Sequence, residues 1–354
     1  MILDFLFGLV SHDLGIDLGT ANTLVFIKDK GIAIREPSVV ARHKKTKKII
    51  AIGSEAKKMI GKTPETIEVI RPLKGGVIAD FDATEAMLTH YIKLVHKTPS
   101  RIMPKIPRPK VVVGIPSGVT EVERRAVQEA CFSAGARSAC LIEEPMASAI
   151  GLDLPVLKPS GTLICDIGGG TTETAIISLG GIVLNKSLRI AGDEMDEAIV
   201  NFLRLKYSLL IGETTAEQIK IQVGSAVSVK GKSTTDKQIV VRGRDLGKGL
   251  PKSIRVNSAE IREALAPIVN QIVSAISELI EEAPPELTSD FLERGVALCG
   301  GISQLSGLDK FIADQIKMPV WSADDPMTTV VRGCGKLLEN QELLERVKVT
   351  GGLK

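Results

Sequence analysis

An α/β fold built from two similar halves is predicted by three features of the sequence. Short strand-like runs alternate along the chain with longer helix-like runs. A pattern of strand, acid, glycine turn and second strand occurs twice, as GIDLGTANTLVFI at residues 15–27 and as CDIGGGTTETAII at residues 165–177. The chain has 354 residues, which is enough for about two domains. A pattern repeated half a chain length apart indicates duplicated halves with a cleft between them.

The halves are predicted to meet near residue 155, because a Pro-Ser-Gly turn at 159–161 precedes the restart of the pattern. Each half carries a smaller insertion. The first, at about residues 33–73, reads as two strands around the basic run 42–48, which we interpret as a solvated hairpin tip. The second, at about residues 193–256, reads as a helical stretch followed by strands.

Between the two hairpins, KVVVGIP at residues 110–116 predicts a buried strand that ends at a proline. A helix follows, with a capping box formed by Thr120 and Glu123 and a glycine stop at Gly135. Its apolar residues recur on one face and are expected to face the core: Val122, Ala126, Ala130 and Ala134.

The composition is that of an ordinary globular protein, with 44% hydrophobic and 25% charged residues. Aromatic residues make up only 3% and the net charge is +3, so no nucleic-acid partner is expected. The five cysteines form no CxxC pair, which argues against zinc and favours a reducing, cytoplasmic compartment. Cys165 and Cys299 lie in apolar runs and are expected to be buried.

The repeated glycine turn is a phosphate-binding arrangement in chemical terms. Glycines let backbone N–H groups converge on a ligand, and such a nest binds anions. Asp17 and Asp166, at the strand ends, would be repelled by phosphate but can hold a Mg²⁺ that neutralises it. Two common alternatives fail, because a Walker A loop would need glycine at Ala226 and a dinucleotide fingerprint would need it at Glu173. Two facing turns would clamp the phosphates of one nucleotide.

The two hairpins, together with LCGGISQLSGL at 298–308, resemble the phosphate and adenosine motifs of the actin, sugar-kinase and DnaK-type ATPase superfamily. The resemblance narrows to the MreB family of bacterial actin homologues over about residues 12–340, through four further segments: REPSVVA (35–41), IRPLKGGVIADF (70–81), LIEEPMASAIG (141–151) and TAEQIKIQVGSA (215–226). It implies an actin-like ATPase fold with two RNase H-like halves around a nucleotide cleft. The first half would comprise residues 1–155 and 323–345, and the second residues 156–322.

The resemblance implies bound ATP and Mg²⁺. The phosphates would be held by Gly19, Thr20, Ala21 and Asn22 from the first turn and by Gly168, Gly169, Gly170 and Thr171 from the second. Ribose and adenine would be contacted by Glu217, Gln218, Ile219 and Lys220, and the backbone beneath the adenosine would be Gly300, Gly301, Ile302 and Ser303. Ile302 replaces the third glycine of the family pattern, a departure that bears on adenine packing. Without the resemblance, Glu217 and Lys220 would be read as a surface ion pair three residues apart on a helix.

For hydrolysis, the resemblance places Glu144 where the family has its water-orienting residue, with Asp17, Asp166 and the Thr171 hydroxyl assisting. The plainer interpretation of Glu143 and Glu144 is a pair of solvent-facing acids at a helix N-terminus, where carboxylates are favoured.

The function that the resemblance implies is a slow ATPase that polymerises into filaments at the inner face of the cell membrane. Such filaments would maintain rod shape and guide cell-wall synthesis together with membrane proteins of the elongation machinery. A small-molecule kinase of the same superfamily is the alternative. A DnaK-type chaperone would need a further substrate-binding domain, for which we expect no room in 354 residues.

Two apolar segments are candidates for membrane contact. The N-terminal MILDFLFGLV lacks the features of a signal peptide and reads either as a segment docked on the body or as a short interfacial helix. The loop PSRIMPKIPRPK at residues 99–110 places apolar residues among basic ones and prolines. The predicted contact residues are Phe5, Leu6, Phe7, Leu9, Ile102 and Met103.

Overall fold

The computed structural model describes residues 11–97, 107–228 and 237–349. In chain order the strands are β1 (Leu14–Leu18), β2 (Asn22–Ile27), β3 (Gly31–Pro37), β4 (Val40–His43), β5 (Ile49–Ile52), β6 (Ile67–Ile70), β7 (Leu73–Lys74), β8 (Val77–Ile78), β9 (Lys110–Ile115), β10 (Ser138–Glu143), β11 (Thr162–Ile167), β12 (Thr172–Ser178), β13 (Gly181–Leu188), β14 (Leu209–Leu210), β15 (Gln238–Asp245), β16 (Pro251–Asn257), β17 (Val296–Cys299) and β18 (Val320–Ser322).

The α-helices are α1 (Ser54–Lys57), α2 (Phe81–Val95), α3 (Glu121–Ser133), α4 (Glu144–Gly151), α5 (Gly192–Tyr207), α6 (Glu213–Val223), α7 (Ser258–Glu281), α8 (Pro285–Arg294), α9 (Leu308–Ile316), α10 (Thr329–Glu339) and α11 (Gln341–Val347). Short 3₁₀ turns cover Gly301–Gln304 and Pro326–Thr328.

Two five-stranded sheets are built to the same plan, which confirms the predicted duplicated α/β fold. The strand order of the first sheet is β10-β9-β1-β2-β3. The second sheet, taken from its opposite edge, has the equivalent order β18-β17-β11-β12-β13. In both, the two strands of the glycine hairpin pair antiparallel, and the first of them also pairs parallel with a later strand. Asp17 and Asp166 therefore occupy equivalent places near the carboxyl ends of equivalent strands, β1 and β11. The domain limits given above stay predictions.

The insertions form small sheets of their own. The first contains the antiparallel sheet β5-β4-β6, and its β4–β5 turn carries the basic run predicted as a hairpin tip. In the second, α5 and α6 pack together, and β14-β15-β16 form a three-stranded sheet. The two insertions meet where Lys57 of the first pairs with Glu217 of the second.

The helix after β9 follows the sequence prediction at its ends and departs from it on one face. Thr120 and Glu123 form the predicted capping box, and Gly135 follows the helix with φ +105°. Ala130 and Ala134 are buried, as expected, but Ala126 is only partly buried and Val122 is 76% exposed. The expectation for Val122 was wrong because residues spaced by four drift around a helix of 3.6 residues per turn. The buried face is that of Val127, Ala130, Cys131 and Ala134, and Val122 lies away from it.

Helix α7 is the one described helix whose length and hydropathy would suit a bilayer. Its apolar face is buried in the core of the second half, through residues such as Ile261, Leu265, Val269 and Ile276. Burial of this face in the protein core therefore explains the high hydropathy of α7.

Helices α4 and α10 cross at close range and join the two halves. An added Cβ at Gly333 would lie 1.8 Å from the Ala147 oxygen, and one at Gly151 would lie 2.1 Å from the Thr329 oxygen. The cluster around this crossing contains residues from both large sheets, including Val112 of β9 and Ile164 of β11. The crossing thus lies directly behind the two glycine hairpins and fixes the helix that begins at Glu144.

Candidate functional site

A cavity of about 570 Å³ lies between the two halves, within the size range of small-molecule sites. Both glycine turns line it, as do residues of α4, α6 and the turn after β17. The predicted site residues that the structure brings together here are Asp17, Gly19, Thr20, Ala21, Asn22, Glu144, Asp166, Gly168, Gly169, Gly170, Thr171, Glu217, Lys220, Gly300, Gly301 and Ile302.

The two turns face each other at contact distance. A Cβ built on Gly169 would lie 2.6 Å from the Ala21 Cβ, and one on Gly170 would lie 2.7 Å from Thr20 Oγ1. The same hydroxyl accepts a hydrogen bond from the Gly76 amide at 3.0 Å. Side chains at these glycines would push the halves apart, so glycine here permits a closed cleft.

The turn after β17 passes under the cavity through a position where only glycine fits. Gly300 has φ +78°, and an added Cβ would lie 2.3 Å from the Ile167 oxygen and 2.6 Å from Asp166 Oδ1. Ile302, two residues later, is 9% exposed and packs into the core of the second half while its side chain approaches Gly192. The isoleucine therefore replaces glycine at a position where the fold accommodates a large side chain.

Three carboxyl groups converge at the base of the cavity. Burial, and then the Asp166 carboxylate, raise the pKa of Asp17 to about 8. Burial raises the pKa of Asp166 to about 6, while a 2.7 Å hydrogen bond from Ser148 Oγ acts against that rise. Burial and the charges of Asp17, Glu173 and Asp166 raise the pKa of Glu144 well above its ordinary value. Such an arrangement favours binding of a cation, since a cation would stabilise the ionised carboxylates.

The donor set fits Mg²⁺. The described residues hold no group of three or more His, Cys, Asp or Glu side chains placed to ligate a metal ion. Magnesium, however, is usually held by one or two carboxylates, with water and phosphate oxygens completing its shell. Asp17 and Asp166 supply two carboxylates beside the phosphate-type turns, and both line the cavity.

Glu144 is the first residue of α4, and Pro145 follows it in the first turn. Glu144 lines the cavity. Glu143, the last residue of β10, occupies the N-cap position without a side-chain capping hydrogen bond and does not line the cavity. The interpretation of both acids as solvent-facing is therefore wrong for Glu144, which points to the site with a strongly raised pKa.

Glu217 and Lys220 lie on α6 as predicted, but they are paired with other residues. Glu217 Oε2 lies 2.7 Å from Lys57 Nζ of the first insertion. Lys220 is 8% exposed, lies 2.9 Å from Asp196 Oδ1 and donates to the Gly192 oxygen at 2.7 Å. The alternative of a surface ion pair between the two is thus wrong, and contact with ribose and adenine stays a prediction.

Three of the predicted residues do not line the cavity. Gln218 points to solvent and Ile219 is buried in the core, because they occupy other faces of α6 than Glu217. Ser303 is buried and donates its hydroxyl hydrogen bond to the Gly300 oxygen at 2.7 Å, so it stabilises the turn from beneath. The predicted membrane residues Phe5, Leu6, Phe7, Leu9, Ile102 and Met103 lie outside the described residues.

The structure adds site residues that the sequence analysis did not identify. Lys57, Arg71, Asp193 and Asp196 line the cavity, and all four belong to or border the insertions. Glu173, next to the second turn, is 1% exposed and accepts hydrogen bonds from the Ser117 amide at 3.1 Å and from Ser187 Oγ. Burial raises its pKa to about 7. Nothing in the local sequence marked these residues, since each acquires its partner from a distant segment.

Comparisons with known proteins agree with this geometry. A model of the MreB/Mbl protein family matches residues 11–346. The chain is 50% identical over 336 residues to the cell shape-determining protein MreB of Escherichia coli, with 94% of each chain covered. It is 44% identical over 340 residues to the cell shape-determining protein Mbl of Bacillus subtilis, covering 96% of this chain and 99% of the relative.

Among solved structures, MreB5 of Spiroplasma citri bound to AMPPNP superposes with a TM-score of 0.86 at 36% identity, covering 94% of this chain and 97% of that one. A structure of the same protein bound to ADP gives the same TM-score at 35% identity, covering 95% and 98%.

Proposed function

The chain belongs to the MreB/Mbl family, and from that membership we propose that it is an ATP-dependent, filament-forming cytoskeletal protein that maintains cell shape. The observation that carries the proposal is the pair of glycine turns facing each other across one cavity, each with an aspartate behind it. This arrangement is suited to a nucleotide's phosphates and their metal ion.

ATP is the proposed ligand of the cavity. The backbone N–H groups of the turns at 19–22 and 168–171 bind its phosphates, and the side of the cavity formed by α6 and Gly300–Ile302 takes the nucleoside. Support comes from MreB5, a family member solved with AMPPNP and with ADP. Glu217 and Lys220 line this side, and Lys220 is held in place by Asp196 and the Gly192 oxygen.

Slow hydrolysis is the proposed activity. Asp17 and Asp166 would hold Mg²⁺, and a bound Mg²⁺ would neutralise the phosphate charge. Glu144 projects into the cavity from the start of α4 and orients the attacking water, and the Thr171 hydroxyl assists from the second turn. A carboxyl with a raised pKa in a cavity is a frequent property of groups with such a role.

Polymerisation follows from closure of the cleft in this proposal. Bound ATP draws the two insertions together, and a head-to-tail contact between closed subunits does not close on itself, so it propagates as a filament. The filaments lie at the inner face of the cell membrane, where they guide cell-wall synthesis with membrane proteins of the elongation machinery. The names of the relatives, cell shape-determining proteins, support this role.

A small-molecule kinase is not favoured. The relatives that cover the chain almost completely are cell shape-determining proteins. Of the acids at the cavity base, Asp17 and Asp166 are assigned to the metal and Glu144 to the attacking water. None of the three is then assigned as the base for a substrate hydroxyl.

The test combines sedimentation of the protein with measurement of phosphate release, with and without Mg-ATP. We expect ATP-dependent pelleting and slow phosphate release. Glu144→Ala should slow release by about 10²-fold or more, while ATP binding survives and polymers persist longer. Glu143→Ala, next to it but outside the cavity, is the matched control and should release phosphate at the normal rate.

Absence of polymer at micromolar protein, in solution and on lipid, together with ATP-dependent phosphorylation of an added hydroxyl compound, would overturn the proposal. Loss of ATP binding in Glu144→Ala with an unchanged hydrolysis step would overturn the assignment of Glu144.

A further inference from the structure

Ser148 makes a buried hydrogen bond to one of the two aspartates at the base of the cavity. Its side chain is fully buried, at 0% exposure, and its Oγ donates to Asp166 Oδ2 at 2.7 Å. Ser148 lies on α4, whereas Asp166 lies on β11 of the second half. The bond therefore ties a helix that follows the first sheet to the acid of the second hairpin.

A second hydroxyl holds Ser148 in turn. Thr329 Oγ1, at the start of α10, lies 3.0 Å from Ser148 Oγ and 3.2 Å from the Pro326 oxygen. Thr329 is 1% exposed. The one proton of the Thr329 hydroxyl lies within reach of both the Pro326 oxygen and the Ser148 oxygen, so with the Ser148 proton directed at the carboxylate, Thr329 can donate to Ser148 when it turns away from Pro326. The Cys299 thiol contacts both hydroxyls as well. The chain of contacts runs from α10 through α4 to Asp166.

The backbone around this chain of hydroxyls has little freedom to shift. Gly151 and Gly333 let α4 and α10 approach so closely that an added Cβ at Gly333 would lie 1.8 Å from the Ala147 oxygen. Ala147 precedes Ser148 directly. The position of the Ser148 hydroxyl is therefore set by the helix crossing, and with it the orientation of the carboxylate that accepts from it.

The same helix carries Glu144 one turn earlier. Residues four apart on a helix lie on one face, so Glu144 and Ser148 both face the cavity base. Glu144 lines the cavity itself, and Ser148 lies behind it against Asp166. Helix α4 therefore positions Glu144, which is assigned to the attacking water, and also the Ser148 hydroxyl, which holds the metal-binding residue Asp166.

We propose that Ser148, steadied by Thr329, is a positioning residue that holds the Asp166 carboxylate in the orientation in which it binds Mg²⁺. The inference rests on the proposed function, since it assigns Ser148 and Thr329 to the metal side of that site. Ser148 binds Oδ2, and the other oxygen, Oδ1, lies beside Gly300, which lines the cavity with Asp166. Substitution of such an outer hydrogen-bond partner typically lowers metal affinity by about 10- to 100-fold.

The experiment titrates Mn²⁺, a spectroscopic substitute for Mg²⁺, into the full-length protein saturated with ADP. The affinity is read by electron paramagnetic resonance. Nucleotide affinity is measured separately in EDTA. We expect Ser148→Ala to weaken Mn²⁺ binding about 10- to 100-fold and to leave metal-free nucleotide affinity unchanged. In phosphate release, the Mg²⁺ concentration for half-saturation should rise while the rate at saturating Mg²⁺ changes little.

Thr329 provides a matched pair of variants that does not depend on Ser148→Ala folding. Thr329→Val keeps the volume and removes the hydroxyl, whereas Thr329→Ser keeps the hydroxyl. Weaker Mn²⁺ binding in Thr329→Val with normal binding in Thr329→Ser supports the proposal. Wild-type Mn²⁺ affinity in folded Ser148→Ala and Thr329→Val would overturn it. So would an equal loss of nucleotide affinity in EDTA, which indicates a merely structural role.

Failure of the proposed function and failure of the role of Ser148 give different results. If the wild-type protein binds neither ADP nor Mn²⁺, the proposed function is overturned and this inference with it. If the wild type binds both and the variants bind Mn²⁺ equally well, only the role of Ser148 is overturned.

Discussion

Lys57 Nζ lies 2.7 Å from Glu217 Oε2 and joins the two insertions across the mouth of the cleft. Lys57 ends α1 in the first insertion, and Glu217 lies on α6 in the second. Arg71 Nη1 lies 2.8 Å from Asp193 Oδ1 and makes a second bridge between the halves. All four residues line the cavity and the two pairs link its halves, so we expect them to resist opening of the cleft and to slow nucleotide release.

Lys57→Met should accelerate ADP release by up to about 5-fold. The pair is partly exposed, and exposed ion pairs contribute about 0.2–1 kcal/mol, which sets the upper limit of the effect. Release is measured with a fluorescent ADP analogue displaced by excess ATP. Lys58→Met is the matched control, because Lys58 contacts Glu55 on its own helix and no residue across the cleft. Equal release rates for Lys57→Met and the wild type at low salt would contradict a gating role.

The hairpins, and hence the duplicated fold, could be predicted from the sequence because each is a local pattern of strand, acid and glycine. The cleft itself could also be predicted, since two phosphate turns have a common function only when they face each other. Lys57 and Arg71 could not be found in this way. Their partners lie more than a hundred residues away in the chain, and a lysine in a polar insertion carries no local sign of its contact.

Val122 and Ile219 show the limits of helical periodicity. The spacing placed Val122 on the apolar face of α3, but residues spaced by four drift around the helix, and Val122 lies away from the face that Val127 and Cys131 bury. For α6, all four residues 217–220 were predicted to contact the nucleotide, but Ile219 lies on a different face of the helix and is buried in the core. Ser148 illustrates a third limit, because a serine in an apolar helix gives no indication of which buried acid it reaches.

Gly333→Ala should destabilise the protein strongly. The added methyl group would lie 1.8 Å from the Ala147 oxygen, so α4 and α10 would have to separate. Overpacking of this kind costs about 1–3 kcal/mol or more, and we expect a value near the upper end. The urea midpoint measured by circular dichroism is the readout.

Gly181→Ala, whose nearest contact would be 3.9 Å away, is the control and should stay within about 0.5 kcal/mol of the wild type. A normal midpoint in Gly333→Ala would show that the helices can shift freely.

His12 should make stability fall in mild acid. Its Nε2 lies 2.9 Å from Lys30 Nζ, its ring stacks on His96, and burial together with the charges of Lys30 and His96 lowers its pKa, against the opposing effect of Asp13. The folded state therefore holds this proton less tightly than the unfolded state, whose pKa is near 6.5. As the pH falls through that value the unfolded state gains the proton first, so the free energy of unfolding decreases.

The measurement is the slope of the unfolding free energy between about pH 7 and pH 5. The carboxyl groups with raised pKa values, such as Asp17 and Glu173, contribute a slope of opposite sign, so the informative quantity is the difference from the wild type. His12→Gln should remove the part of this slope that comes from His12. Because His12 is partly exposed, that part is smaller than the ~1.4 kcal/mol per pH unit expected for the uptake of one full proton. Lys30→Met should reduce it in part. A wild-type slope in His12→Gln would contradict the assignment.

The two apolar segments assigned to the membrane should act together, because their ends meet on the described part of the chain. The Arg108 amide donates to Ser11 Oγ at 2.9 Å, and the His12 amide donates to His96 Nε2 at 2.9 Å. Residues 11–12 therefore touch both flanks of the segment that contains Ile102 and Met103. Because the described residues next to both segments lie together, we expect the two segments to act on one lipid surface.

Liposome flotation of ATP-formed filaments should accordingly fall when either segment is altered. The variants are a chain lacking residues 1–10 and Ile102→Ser with Met103→Ser, each first shown to pellet with ATP. Basic neighbours contribute on the order of 1 kcal/mol each near anionic lipid, so one monomer should bind weakly and a filament firmly through its many copies. Loss of one segment should therefore reduce flotation most at low protein concentration, where avidity is least.

Leu205→Ser, at a position 80% exposed on α5, controls for a general loss of surface hydrophobicity and should float normally. Equal flotation of both altered chains and the wild type, at every concentration, would show that neither segment carries the membrane contact.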